Sequence, residues 1–234
     1  MPIRFNDREI SAVVLDFDNT IYSADEELEA QIWGEVRRRL VKKVLEINGT
    51  KDISDHDFAQ YLHNYVEQSK KIGWKPYFLE QGGSANDFLE IIASVSIADY
   101  LSFDEDLAKF INELMQYIPV YIFTGSNSQR VFEALNILIG DMWSQFEHRV
   151  LAADDMKRGL KPDQAAYQEM IERFGIDPKN TIFLDDQLVE VQTAASLGII
   201  TFLIQRGSIE KSVPGPHVIL RSILELSTYL TCEK

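Results

Sequence analysis

The stretch Val13-Val14-Leu15-Asp16-Phe17-Asp18-Asn19-Thr20 decides the fold, because it joins a short apolar run to two closely spaced acidic residues. A short β-branched run that stops abruptly at polar residues is typical of a strand buried in a parallel sheet. In open α/β sheets, ligands bind beyond the carboxyl ends of the strands. Asp16 and Asp18 therefore stand where such a fold places a binding site, although a simple turn would also explain the pair taken alone.

The same kind of apolar run recurs along the chain and alternates with helical stretches. The predicted strands cover residues 12–16, 120–124, 149–152, 181–184, 199–204 and 217–220. The predicted helices between them cover residues 129–139, 162–174 and 189–197, and the second opens at Pro162 and is followed by Gly175. This alternation predicts an α/β fold with a doubly wound, Rossmann-like parallel sheet.

Residues 22–101 interrupt the alternation, because they contain no convincing strand and have the composition of helices. A loop-like stretch over residues 73–84, with Pro76 and two adjacent glycines, separates them into two groups. The predicted helix starts are the capping pairs Ser23 with Glu26, Ser54 with Asp55, and Ser102 with Glu105. We therefore expect an α/β core of residues 1–21 and 102–234, with residues 22–101 inserted as an all-helical domain.

The composition limits the class of protein. The 234 residues include 37 Asp and Glu against 23 Lys and Arg, which gives a net charge of −14. Such an acidic surface repels phosphate backbones and anionic lipids, so neither a nucleic acid polymer nor a membrane is expected as a partner. The single cysteine excludes an internal disulfide and a thiolate zinc site. Because no apolar run approaches the roughly 20 residues of a membrane-spanning helix, we expect a cytoplasmic protein.

Polar residues mark three further positions of the same kind. Thr124 ends the second predicted strand, Lys161 stands directly before a predicted helix, and Asp185 with Asp186 follows the fourth predicted strand. Each has an ordinary explanation alone, since an acidic pair often caps a helix. Because the carboxyl ends of parallel strands share one edge of the sheet, together they predict a single polar site.

In this order, the four segments resemble the four motifs of the haloacid dehalogenase superfamily, over nearly the whole chain. The first motif, a hydrophobic strand followed by Asp-x-Asp-x-Thr, is matched by residues 13–20. The second is matched by Thr124, the third by Lys161 and the fourth by the pair Asp185-Asp186. The dehalogenase branch makes no use of an acid or base at the position of Asp18, so the resemblance favours phosphate chemistry.

The resemblance implies a role for each motif in phosphoryl transfer. Asp16 is the nucleophile that forms an aspartyl-phosphate, and Asp18 protonates the leaving group and then activates the attacking water. Thr124 and Lys161 hold the phosphoryl oxygens, assisted by main-chain N–H groups near Gly125.

Mg²⁺ is the implied cofactor. A carboxylate at about 4 Å from a phosphate dianion is repelled by several kcal/mol at a protein surface, so a cation must neutralise the charge. Mg²⁺ prefers oxygen ligands and retains several waters. The implied ligands are Asp16, the main-chain carbonyl of Asp18, and Asp186, while Asp185 acts through a water molecule or by holding Lys161.

The helical insertion matches the position of the superfamily's C1 cap, which closes over the site and selects the substrate. The candidate substrate contacts are Trp33, Arg37, His63, Tyr65, Trp74 and Tyr77. The same residues could instead form the core and the solvated face of the insertion. Residues 16–22 are similar to the opening of the pyrimidine 5′-nucleotidase-like branch, which implies a nucleoside 5′-monophosphate as substrate.

Three functions remain open at this point. The leading hypothesis is a phosphatase that hydrolyses a small phosphomonoester. A sugar phosphomutase shares all four motifs, and it would pass the phosphoryl group to a second hydroxyl without releasing phosphate. A non-catalytic binding or regulatory protein on the same scaffold would show no Mg²⁺-dependent turnover of an aryl phosphate.

Overall fold

The computed structural model describes residues 2–22, 26–50, 52–206 and 218–232. The chain divides into two compact units, one formed by residues 1–23 together with 101–234 and the other by residues 24–100. The first unit carries the strands, and the described part of the second consists of helices and their connections. Among the described residues, no helix is both long and apolar enough to cross a membrane.

The first unit is built on a six-stranded parallel sheet, accompanied by a three-stranded antiparallel sheet. The strands are β1 (Ile3–Phe5), β2 (Arg8–Ile10), β3 (Ala12–Leu15), β4 (Val120–Phe123), β5 (Val150–Leu151), β6 (Thr181–Asp185), β7 (Ile200–Ile204), β8 (Val218–Leu220) and β9 (Thr231–Cys232). The parallel sheet has the order β5-β4-β3-β6-β7-β8, which confirms the doubly wound topology. The chain winds outwards from β3 in one direction and from β6 in the other, so the crevice between their carboxyl ends is the switch point where such folds bind ligands.

The central strands are buried because helices and neighbouring strands surround them. Every residue of β3 and β6 is buried, and Leu15 pairs with Leu184 across the two strands. The core around them includes Phe123, Tyr167 and Phe183, none of which is exposed to solvent. These continuous apolar runs, rather than an alternating pattern, are what a parallel sheet covered on both faces requires.

The six predicted strands occur within one residue of their expected ends. His217, expected as the first residue of the last strand, lies outside the described residues. The antiparallel sheet of β1, β2 and β9 was not predicted from the sequence. β1 and β2 are three residues long and form a hairpin through Asn6 and Asp7, both at positive φ. β9 is two residues long and pairs with β1 from the far end of the chain, where Cys232 lies opposite Ile3.

The second unit contains four α-helices in its described part. They are α1 (Glu26–Ile47), α2 (Asp55–Ile72), α3 (Trp74–Glu80) and α4 (Ala85–Ala93). The predicted cap of α2 is confirmed, because the Ser54 side chain accepts from the N–H of Asp57 at 3.1 Å. Ser23, predicted to cap the first helix, lies outside the described residues.

The prediction of a loop over residues 73–84 is wrong, because α3 lies within this range. Pro76 is in the first turn of this helix, where a main-chain N–H has no partner within the helix and its absence costs nothing. The ring of Phe78 is fully buried, so tertiary packing stabilises a helix whose flanking glycines suggested a loop.

Four α-helices follow in the first unit: α5 (Glu105–Met115), α6 (Ser128–Ile139), α7 (Gln164–Phe174) and α8 (Leu188–Ser196). The prediction that Ser102 caps this helix is wrong. Asp104 caps α5, and its side chain accepts from the N–H of Leu107 at 2.9 Å. Pro162 precedes α7 by two residues instead of opening it. Gly175 ends α7 in the left-handed conformation, with φ of 61°, as predicted.

Candidate active site

The loop that follows β3 presents Asp16 and Asp18 at the switch point of the sheet. The N–H of Asp16 donates to the carbonyl of Leu184 at 2.8 Å, so this residue still belongs to the ladder between β3 and β6. The carbonyl of Phe17 then accepts from the N–H of Ile21 at 3.0 Å, which turns the chain. Because the strand ends before the turn, the two acidic side chains have different surroundings despite their spacing of two residues.

The side chain of Arg206, which follows β7, holds the main chain of this turn. Its guanidinium donates to the carbonyl of Asn19, and it contacts the carbonyls of Tyr22 at 3.2 Å and Thr20 at 3.4 Å. Asn19 has a positive φ of 59°, a conformation that asparagine tolerates better than most residues. The guanidinium therefore fixes a turn that the local sequence alone would leave less well determined.

Lys161 connects the ends of three strands. Its ammonium group donates to Asp16 Oδ1 and to Asp185 Oδ2, each at 2.7 Å, and to the carbonyl of Phe123 at 3.2 Å. The side chain is 4% exposed. Because an ammonium group has three protons to donate, all of them have acceptors here, which is what a buried charge requires.

A second layer of buried polar groups surrounds Lys161. Glu190, on α8, has a carboxylate oxygen 3.6 Å from Lys161 Nζ. The hydroxyl of Tyr167, on α7, donates to this carboxylate and lies 3.2 Å from the main-chain oxygen of Glu190. These contacts add a third carboxylate to the surroundings of the ammonium group.

Three carboxylates converge beside Lys161. Oxygen atoms of Asp16, Asp185 and Asp186 lie within 4.8 Å of one another, and they are the one such cluster found among the described residues. Asp185 also accepts from the N–H of Gln187 at 2.8 Å, so it is held on two sides. Asp186 is less buried than the other two.

The cluster is electrostatically strained, because its carboxylates lie close enough to repel one another. Burial raises the pKa of Asp16 to about 6, although the charge of Lys161 opposes the shift. Burial and the charge of Asp16 raise the pKa of Asp186 to about 7, and burial raises that of Asp185 well above its usual value. Burial alone would lower the pKa of Lys161, but the surrounding carboxylates hold it well above its ordinary value. A small, hard cation with oxygen ligands suits such a group of acids.

Asp18 points to a separate set of partners. The hydroxyl of Tyr22 donates to its Oδ1 and the hydroxyl of Ser126 donates to its Oδ2. Arg130 Nη2 lies 3.3 Å from Oδ1, and its side chain is 3% exposed. Burial and the charge of Asp18 raise the pKa of Tyr22 well above its usual value, so its hydroxyl remains a donor.

The loop after β4 brings Thr124 and Gly125 to the same edge of the sheet. Thr124 is buried, and its hydroxyl oxygen accepts from the N–H of Ser126 at 3.0 Å. Gly125 is exposed, and a Cβ added there would meet no described atom within 4 Å. The main chain at Gly125 is therefore open to approach by a ligand.

The six candidate contacts of the helical unit fall into three groups. Trp33 and Trp74 pack edge to face with ring centroids 5.5 Å apart, and the Arg37 guanidinium lies 4.2 Å from the Trp74 ring. Tyr65 and Tyr77 form a second pair, with centroids 4.9 Å apart. His63 is exposed on α2. Tyr65 is buried, whereas Trp33, Trp74 and Tyr77 are partly exposed, and a role in substrate binding stays a prediction.

Six residues of the site were missed from the sequence: Tyr22, Ser126, Arg130, Tyr167, Glu190 and Arg206. Arg130 offered a signal, because helical spacing places it on the same face of α6 as Ala134, which is buried. A charged residue on the apolar face of a helix requires a buried partner.

The chain matches the model of a protein family described as haloacid dehalogenase-like hydrolase over residues 10–198. It therefore belongs to this family and is a hydrolase, in agreement with the resemblance found in the sequence.

Individual relatives are distant. The enolase-phosphatase E1 of Persephonella marina is 26% identical over 176 residues, which cover 72% of this chain and 70% of the relative. A solved HAD phosphatase from Thermococcus onnurineus has a TM-score of 0.60 and 17% identity, covering 94% of this chain and 97% of its own. CbbY from Rhodobacter sphaeroides, solved in complex with phosphate, has a TM-score of 0.57 and 16% identity, covering 93% and 96%. At these identities, the structural likeness shows the fold alone.

Proposed function

We propose that the protein is a Mg²⁺-dependent phosphatase that hydrolyses a small phosphomonoester through an aspartyl-phosphate on Asp16. The observation that carries this proposal is the contact of Lys161 with both Asp16 and Asp185, beside a third carboxylate, at the switch point of the sheet. A purely structural ion pair would not require two further buried acids next to it, because each adds a desolvation cost.

Asp16 is the nucleophile in this proposal. Its Oδ1 is engaged by Lys161, so we assign the attack on phosphorus to Oδ2. The bond from phosphorus to the ester oxygen breaks as the bond to Oδ2 forms, and water later cleaves the resulting acyl phosphate. Thr124 and the main chain at Gly125 stabilise the charge on the phosphoryl oxygens.

Asp18 serves as the acid and then the base. It gives a proton to the leaving alkoxide, and in the second step it takes a proton from the attacking water, so its protonation state is restored after each turnover. Its separate set of partners supports this division of labour between the two aspartates.

The residues that would hold Mg²⁺ are Asp16, Asp186 and the main-chain carbonyl of Asp18. The convergence of carboxylate oxygens and the raised pKa values of Asp16 and Asp186 fit a hard divalent cation. When bound, the cation supplies positive charge that offsets the repulsion between the nucleophile and the phosphate dianion. Asp185 is bound to Lys161, which favours an indirect role for it.

The helical unit is our candidate for a C1 cap that selects the substrate. It is a separate compact unit whose helices lie between β3 and β4 in the chain. Relatives named as phosphatases support phosphate ester chemistry. The nucleoside 5′-monophosphate implied by residues 16–22 is the member of the class to test first.

The test is release of inorganic phosphate from p-nitrophenyl phosphate, with Mg²⁺ and with EDTA, followed by a panel of nucleotides and sugar phosphates. Asp16→Asn should abolish turnover, whereas Asp106→Asn, an exposed acid on α5, is the matched control that should not. Full activity of Asp16→Asn would contradict the proposal. Transfer of phosphate to a second hydroxyl without net release, followed by ³¹P NMR, would identify a mutase instead.

A further inference from the structure

Asp18 is held more firmly than a residue of a turn requires. Tyr22, Ser126 and Arg130 reach it from three different segments: the turn after β3, the loop after β4, and the first turn of α6. Both carboxylate oxygens are engaged, because Tyr22 and Arg130 contact Oδ1 and Ser126 contacts Oδ2. With both oxygens engaged, rotation of the carboxylate about its last torsion is blocked.

The burial of Arg130 argues that this arrangement has a function. The Arg130 side chain is 3% exposed, so burial of its charge carries a desolvation cost that a carboxylate must compensate. Asp18 lies 3.3 Å from Arg130 Nη2 and is itself 16% exposed. If Asp18 served only to form a turn, its carboxylate could remain solvated at the surface and would need no buried cation.

The three partners are themselves fixed by the residues around them. The N–H of Ser126 donates to the Thr124 hydroxyl oxygen at 3.0 Å, and the N–H of Arg130 donates to the Asn127 side chain at 2.8 Å. The ring of Tyr22 packs edge to face on Phe17, with centroids 5.4 Å apart. The position of the Asp18 carboxylate is therefore coupled to the loops that carry Asp16 and Thr124.

The chemistry of the partners matches a group that gains and loses a proton. A hydroxyl can donate to a carboxylate or accept from a carboxylic acid, whereas a guanidinium can only donate. Oδ1 faces the guanidinium, so the proton of the acid form belongs on Oδ2, next to the Ser126 hydroxyl. Proton transfer requires placement of the acid to within a fraction of an ångström.

We propose that Arg130, Tyr22 and Ser126 are positioning residues that act through Asp18, and that they orient Oδ2 as the atom that transfers the proton. This inference rests on the proposed phosphatase function. It predicts that loss of any one partner impairs the protonation of the leaving group and leaves the nucleophile intact.

The test uses para-substituted phenyl phosphates, from the acidic p-nitrophenol to the weakly acidic p-methoxyphenol as leaving groups, with kcat/KM measured for each. Tyr22→Phe and Ser126→Ala each remove one hydroxyl, and Arg130→Gln removes the charge. General acid catalysis contributes about 10²–10⁴-fold, so partial loss of positioning should lower kcat/KM for the weakly acidic leaving groups roughly tenfold. p-Nitrophenolate leaves without protonation, so kcat/KM for p-nitrophenyl phosphate should change less than about threefold.

A double-mutant cycle separates positioning from a general structural effect. In an Asp18→Asn background, each of the three substitutions should change kcat/KM for phenyl phosphate less than about twofold, because the group through which they act is gone. Single-turnover experiments with enzyme in excess make these slow rates measurable. Tyr121→Phe and Ser102→Ala, the latter at an exposed serine, are matched controls that lie outside this set, and they should behave as the wild type.

Equal losses for all leaving groups, or equal losses with and without Asp18, would overturn the inference and leave the proposed function standing. An enzyme that hydrolyses none of the phenyl phosphates with Mg²⁺ would overturn both. If Arg130→Gln does not fold, the two single-hydroxyl variants still decide the outcome, because each deletes one atom and retains the packing of the side chain.

Discussion

Replacement of Asp186 by asparagine should stabilise the metal-free protein and remove its response to Mg²⁺. The substitution keeps the shape of the side chain and removes its charge. The carboxylate oxygens of Asp16, Asp185 and Asp186 lie within 4.8 Å of one another. At that separation, two unit charges repel by roughly 3.5 kcal/mol at an effective dielectric constant of about 20. Lys161 offsets part of this repulsion.

The pKa of Asp186 gives the magnitude and the pH range. Burial and the charge of Asp16 raise this pKa from 3.8 to about 7. The difference corresponds to roughly 4 kcal/mol of destabilisation when the group is fully ionised. Because the folded protein binds this proton more tightly than the unfolded chain, the stability of the wild type falls as pH rises from about 4 to about 7, and the full penalty applies above that range.

The assay is thermal unfolding at several pH values in EDTA and in excess Mg²⁺. We expect a gain of about 2–4 kcal/mol for Asp186→Asn in EDTA at pH 8, or roughly 5–15 °C in Tm, and little difference at pH 4. Mg²⁺ should raise the Tm of the wild type and have little effect on the variant. Asp106→Asn, an exposed acid, is the control. Equal stability of wild type and variant at pH 8 in EDTA would refute the electrostatic reasoning.

Four further substitutions test the packing and the site. Lys161→Met leaves two buried carboxylates without their cation, so we expect a loss of about 3–5 kcal/mol in chemical denaturation and at least a hundredfold loss of turnover. Gly83→Ala places a Cβ 2.2 Å from the buried ring of Phe78 and should cost about 1–3 kcal/mol, whereas Gly34→Ala meets no atom within 4 Å and should stabilise α1 by about 0.5–1 kcal/mol. Phe123→Ala removes a fully buried ring and should cost about 3–5 kcal/mol of unfolding free energy.

The features that were predictable from the sequence are those with a local cause. The apolar run of β3 and the acids that follow it are adjacent in the chain, so the strand and its site were both visible there. Two of the three partners of Asp18 could not be paired with it from the sequence, because Ser126 is 108 residues away and Arg130 is 112 residues away. Only the crossing from β3 to β4, with the whole helical unit between them, brings these segments together.

The helix α3 shows the opposite error, in which a local signal misled. Pro76 and the neighbouring glycines have the composition of a loop, yet the chain is helical over seven residues. Proline is excluded from the interior of a helix because it lacks a main-chain N–H and its ring clashes with the preceding turn. Neither effect applies in the first turn of a helix. The burial of Phe78 then supplies the stabilisation that local propensity does not.

The proposed function requires an acidic protein to act on a phosphate, and the charges of the site give a physical account of how it would do so. Lys161 is already committed to Asp16, Asp185 and the carbonyl of Phe123, so its charge is more than balanced before any substrate arrives. With Asp186 and Glu190 nearby, the local field is negative. A phosphate dianion would be repelled from such a cluster, and a cation held by the acids would supply positive charge that offsets this repulsion. The strain among the acids and the proposed need for Mg²⁺ therefore have one physical cause.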